Sequence, residues 1–166
     1  MQGQGIVKGD TLQQIAGIGF IVGAVLTLIG NGLFPRADDP ADTKASLEAI
    51  ATFGTASFPG LALVLAGGFW GLMLGFIGVY PSLSAGPAAA FARIGFYGVL
   101  IGVALWTITF AVHLGLAQVL DSWAVASGPD KAALFQAASS IWQMDAGIFT
   151  MAIIVVWLAS PPSGPW

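Results

Sequence analysis

The chain has 166 residues, of which 57% are hydrophobic and only 8% are charged, whereas soluble domains carry about 25% charged residues. A net charge of −3 with five Lys and Arg residues provides no basic surface, which excludes nucleic-acid binding. The absence of cysteine excludes disulfides, Cys-ligated zinc, iron–sulfur clusters and thiolate catalysis. The composition therefore predicts a single transmembrane helical domain over residues 1–166.

Four apolar segments predict an all-α, integral membrane four-helix bundle. The spans fall near 12–33, 58–80, 92–118 and 138–159, and each reaches the roughly 20 residues that cross a bilayer core of about 30 Å. Residues 1–11 are more polar and are expected to form a tail at the membrane surface. The first apolar run is longer than a signal-peptide core of about 7–15 residues and has no A-x-A site after it, so we expect it to stay as an anchor.

The first span and its ending read IGFIVGAVLTLIGNGLFPR. This segment resembles the first span of uncharacterised small bacterial integral membrane proteins of the DUF4386 type. The resemblance implies a bacterial multi-span protein, which we place in the inner membrane. It implies no activity and no site residues, and those proteins have more spans than the four predicted here.

The polar segment 36–55 follows the first span. Within it Leu47, Ile50, Ala51 and Gly54 fall at i, i+3, i+4 and i+7, the spacing of one helix face. We therefore predict a short amphipathic helix that lies on the membrane surface between the first two spans. The alternative is a solvated loop with one helical turn.

The second span carries a stripe of glycines, of which Gly67, Gly71 and Gly75 repeat every four residues. Such a stripe lets a second helix approach closely in lipid. The third span carries Gly98 and Gly102 at similar distances from the turn that joins the two spans. We therefore predict a glycine zipper in which the second and third helices cross at these glycines.

A second polar loop is predicted at 121–128, and a helix start follows at Pro129. A helix from Pro129 to Ala159 would be about 46 Å long, so its first part should extend into water. Trp142 and Trp157 would then lie at the two membrane interfaces.

The distribution of charge gives a weak indication of topology. Four spans place both termini on one side, and Lys and Arg are balanced between the sides, so the positive-inside rule does not decide. Nearly all acidic residues accompany the two larger loops. We expect cytoplasmic termini and acidic loops outside.

Candidate ligand-binding residues are Asn31, His113, Gln143 and Asp145, which should lie at similar depth near the larger loops. His113 falls eleven residues after Gly102 and thus on the same helix face, which directs it into the bundle. An ionisable residue inside a membrane helix indicates a functional site, and the predicted partner of His113 is Asp145, through a hydrogen bond. The alternative is an ordinary histidine and aspartate at the membrane interface.

Cofactors are constrained by the single histidine. One His with scattered carboxylates does not supply a tetrahedral metal site, so no metal is expected. His113 could serve as single axial ligand to haem or a chlorophyll-type pigment, and the aromatic residues suit a carotenoid or a lipid. No phosphate loop, Ser-His-Asp set or carboxylate pair indicates catalytic residues.

Three functions remain open. The first is a non-catalytic accessory subunit that packs against other membrane protein subunits or forms a homo-oligomer. The second is a protein that binds a lipophilic ligand or pigment through His113. The third is a small transporter or membrane enzyme that acts through His113 and Asp145.

Overall fold

The computed structural model describes residues 4–39, 41–83, 86 and 89–159, which are organised as five helices. It confirms an all-α bundle of four long apolar helices with a short helix between the first two. The elements are α1 (Gln4–Leu33), α2 (Thr43–Phe53), α3 (Phe58–Leu83), α4 (Ala89–Val125) and α5 (Gly128–Ala159).

The four long helices, α1, α3, α4 and α5, are each long and apolar enough to cross a membrane. α4 has 37 residues and α5 has 32, which correspond to lengths of about 56 and 48 Å. Both exceed a bilayer core of about 30 Å. Phe34, which follows α1, and Phe58, which begins α3, both contact His113 of α4, so the α4–α5 hairpin extends beyond the ends of α1 and α3 on the side of the larger loops.

Glycines join α1 to α3. A Cβ built on Gly23 would lie 2.6 Å from the carbonyl oxygen of Gly68, and one on Gly71 would lie 2.7 Å from Cα of Gly23. These distances are below any real Cβ contact, so the two backbones touch where no side chain fits. Further along the same interface, Phe20 packs over Gly75 and Ala16 over Gly78.

The predicted crossing of Gly71 and Gly75 with Gly98 and Gly102 is wrong. Gly71 and Gly75 contact α1, and Gly102 contacts Val156 of α5. Equal distance from a turn fixes the depth of a residue but not the direction of its helix face. Gly98 is buried, whereas Gly67 is exposed and would place a Cβ 3.8 Å from Leu26.

Aromatic and polar contacts join α3 to α4 in place of glycines. The rings of Phe69 and Trp106 lie 4.0 Å apart between centroids, and the indole nitrogen of Trp70 donates to Thr107 Oγ1 at 3.0 Å. The order of contact across the bundle is thus α1, α3, α4, α5. Among the described residues, α1 and α5 are the outermost helices, each packed chiefly on one neighbour.

The short helix predicted between the first two spans is present as α2, and its apolar face packs on the α4–α5 hairpin. Leu47 and Ile50 are fully buried against the projecting part of α4 and α5, in a cluster with Leu116 and Leu120. The projecting hairpin supplies an apolar surface of its own, and burying α2 there removes both surfaces from water.

Local sequence explains where α2 begins and ends. Asp42 caps its first turn, because its carboxylate accepts from the backbone N–H groups of Lys44 and Ala45 at 2.8 and 3.0 Å. Gly54 ends it with φ 101°, a conformation that favours glycine. The hydroxyl of Thr55 then donates to Asp121, which ties this connection to α4.

Several predicted boundaries shift. The predicted tail over 1–11 is helical from Gln4, and the predicted loop over 121–128 shrinks because α4 continues to Val125. Residues 160–166, which come after the predicted end of the last helix at Ala159, lie outside the described residues. Trp157 is 74% exposed, whereas Trp142 packs against the cluster beneath α2. Their location at the membrane interfaces stays a prediction.

Candidate functional site

His113 and Asp145 form a buried pair between α4 and α5. The imidazole Nε2 lies 3.0 Å from the carboxylate Oδ2, and the two residues are 4% and 6% exposed. The predicted hydrogen bond is therefore confirmed. A solvated interfacial pair would be exposed, so the burial of both residues counts against that alternative.

The pair lies at the level where α1 ends and α3 begins. Phe34 directly follows α1 and Phe58 begins α3, and the centroids of their rings lie 5.8 and 5.1 Å from the imidazole centroid. Phe110, one turn earlier on α4, lies 6.1 Å away. Three aromatic rings from three different segments thus enclose the histidine.

Two polar atoms of the pair have no hydrogen-bond partner. They are Nδ1 of His113 and Oδ1 of Asp145, and both are buried. Leaving a buried donor or acceptor unpaired costs about 1–3 kcal/mol. Two further unpaired atoms on α4 are Thr109 Oγ1 and Trp106 Nε1. Thr109 lies four residues and Trp106 seven residues before His113, so both share its helix face.

The other two predicted site residues do not join the pair. Asn31 is exposed, and its side-chain amide donates to the carbonyl oxygen of Thr27 in its own helix at 2.9 Å. Gln143 is exposed as well. It comes two residues before Asp145, and a step of about 200° turns its side chain to the opposite face of α5.

A cavity of about 320 Å³ lies beside the pair on the side of the larger loops. It is lined by Phe34, Pro35, Arg36, Ala37, Ser46 and Trp142. Phe34 also contacts His113, and Trp142 comes one helical turn before Asp145. Phe34 thus borders both the cavity and the imidazole of His113.

The geometry restricts which groups this site holds. Across the described part of the chain, no set of three His, Cys, Asp or Glu residues is placed to hold a metal ion. The free imidazole nitrogen is itself buried, so a haem or chlorophyll-type ring would reach it only if the enclosing aromatic side chains moved.

Sequence reasoning missed the aromatic residues and Thr109. The spacing of Thr109, Phe110 and His113 on one helix indicates a shared face and could have identified two of them. Phe34 and Phe58 carry no such signal, because they reach the site from chain segments far from α4.

Comparisons with protein-family models, curated proteins and solved structures return no match for this chain. The resemblance of the first span to bacterial membrane proteins stays a prediction.

Proposed function

We propose that the chain is a non-catalytic membrane subunit that packs within a larger membrane protein complex. The observation that supports this is the uncovered face of α5. Gln136, Ser140, Gln143 and Gly147 recur on the side opposite Asp145, and all four are exposed.

The character of this face favours a protein neighbour. A helix face that meets water usually carries charges, but this one carries amides, a hydroxyl and a glycine beside which nothing lies within 4 Å. Amide and hydroxyl side chains form hydrogen bonds across helix–helix contacts, and glycine permits close approach. We infer that a helix of another membrane protein covers this face.

Site-specific photo-crosslinking in native membranes tests the proposal. A photoreactive residue at Gln136 or Gln143 should yield adducts with a different protein. The matched control is Leu63, which is 65% exposed on α3 and should face lipid. Adducts of twice the mass of this chain would indicate a homo-oligomer instead. A lack of protein adducts at both glutamines, with a monomer in mild detergent, would contradict the proposal.

The proposed location is the bacterial inner membrane, with cytoplasmic termini and the projecting hairpin outside. The exposed acidic residues near that hairpin, Asp38, Asp39 and Asp130 among them, support this orientation weakly because acids contribute little to insertion.

A second candidate is a protein that binds a lipophilic ligand or pigment. It is favoured by the unpaired nitrogen of His113, which a pigment reaches once the enclosing aromatic side chains move. Protein purified from its native membrane should then absorb visible light, and His113→Leu should remove the absorption. A colourless wild-type preparation would exclude a tetrapyrrole or carotenoid.

A further inference from the structure

The unpaired atoms of the His113–Asp145 pair define a small polar site. Asp145 Oδ1 needs a donor, and His113 Nδ1 needs a donor or an acceptor according to its protonation. A water molecule provides two donors and two acceptors and satisfies either requirement. Buried waters typically occupy such positions, where polar groups lack protein partners.

The cavity beside the pair provides a route for this water. It is bordered by residues of the connection that follows α1 and by Ser46 of α2, and thus lies at the end of the bundle that carries the larger loops. Phe34 lines the cavity and contacts His113, and Trp142 lines the cavity one helical turn before Asp145. We call these two residues the aromatic cover. Side-chain rotation of one cover residue would connect the pair to the loop-side solution.

We propose that the His113–Asp145 pair binds a buried water and, with it, one exchangeable proton that enters from the loop-side solution through the aromatic cover. The proton comes from solvent and adds to a free heteroatom of the pair, so that the charge of the site rises by one. Release reverses this step. The inference concerns the buried face of α5 and is independent of the proposed contact on its exposed face.

Charged groups on the surrounding elements are engaged elsewhere or exposed. Arg36 donates to the carbonyl oxygen of Asn31, Lys44 and Glu48 of α2 form an exposed pair, and Asp121 of α4 accepts from Thr55. Asp130 and Lys131 are exposed at the start of α5. In the described segments, Asp145 is the acidic residue that contacts the imidazole of His113. Proton binding should therefore depend on these two residues.

The sequence contains a single histidine, which permits a selective test. Full-length protein with ¹⁵N-histidine and ¹³C-aspartate is placed in phospholipid nanodiscs and followed by NMR across pH. The ring nitrogens and one carboxyl signal, absent in Asp145→Asn, should change with the same midpoint. Asp145→Asn should shift the ring transition. An unchanging ring spectrum while the protein stays folded, or an identical transition in Asp145→Asn, would overturn the proposal.

The aromatic cover is tested by exchange of the histidine N–H with water. Trp142→Ala should speed this exchange by more than about tenfold, since removal of a packed aromatic ring lowers the cost of local opening. The control is Trp123→Ala, which removes the same side chain from the cluster beneath α2 and should leave exchange unchanged. Should Trp142→Ala fail to fold, Phe34→Leu replaces it. Equal rates of histidine N–H exchange in the cover and control variants would contradict entry through the aromatic cover.

Discussion

The imidazole of His113 and the carboxylate of Asp145 meet at 3.0 Å although 32 positions separate them in the chain. This contact joins α4 to α5 at the level where α1 ends and α3 begins. Below it α1, α3 and the first part of α4 each reach the length of a bilayer span, and above it α2 packs against the α4–α5 hairpin. The pair thus lies at the junction of the embedded and projecting parts.

Truncation of the apolar face of α2 should destabilise the whole protein. Leu47 is fully buried against α4 and α5, so Leu47→Ala should lower the free energy of unfolding by about 2–5 kcal/mol. Thermal unfolding in detergent measures this, with the exposed Glu48→Ala as control. If α2 lay on the membrane instead, both variants would unfold alike.

A methyl group at the α1–α3 contact should be destabilising. Gly23→Ala or Gly71→Ala places a Cβ against backbone atoms, and overpacking of this kind costs about 1–3 kcal/mol. Gly17 has nothing within 4 Å, so Gly17→Ala should be neutral or gain up to about 1 kcal/mol from helix propensity. Unfolding temperatures that rank the three variants equally would rule out the close contact.

The position of the bilayer can be tested with single cysteines, because the chain has none of its own. Gln118→Cys on the projecting part of α4 should react with a water-soluble maleimide in intact membranes. Leu63→Cys should stay unlabelled although its position is 65% exposed on the protein, since lipid covers it. Labelling of Leu63→Cys at the rate of Gln118→Cys would show that α3 does not span the bilayer.

The helices and the identity of the central pair could be predicted from sequence, because both depend on local signals. Long apolar runs bounded by proline and charge indicate the spans, and the spacing of Leu47, Ile50 and Ala51 indicates α2, although Gly54, predicted on the same face, ends that helix instead. His113 was assigned to the bundle interior by its spacing from Gly102, and it is buried. Asp145 followed as the carboxylate at matching depth.

The neighbours of each helix could not be predicted, because several partners satisfy the same face. The glycines of α3 suit any close helix, and the structure pairs them with α1 instead of α4. The apolar face of α2 would suit lipid or protein. It packs on protein because α4 extends further than predicted and offers an apolar surface there. The enclosure of His113 by Phe34 and Phe58 depends on these long-range choices.

The most direct test of the paired site is a double-mutant cycle on His113 and Asp145, read as the free energy of unfolding in detergent. His113→Phe and Asp145→Leu should each be strongly destabilising, by about 3–5 kcal/mol if the group left behind is a buried charge. The double variant should cost less than the sum of the two, by about 1–3 kcal/mol, as expected for residues in contact. Additivity within about 0.5 kcal/mol would show that the two residues are not coupled and would contradict the account.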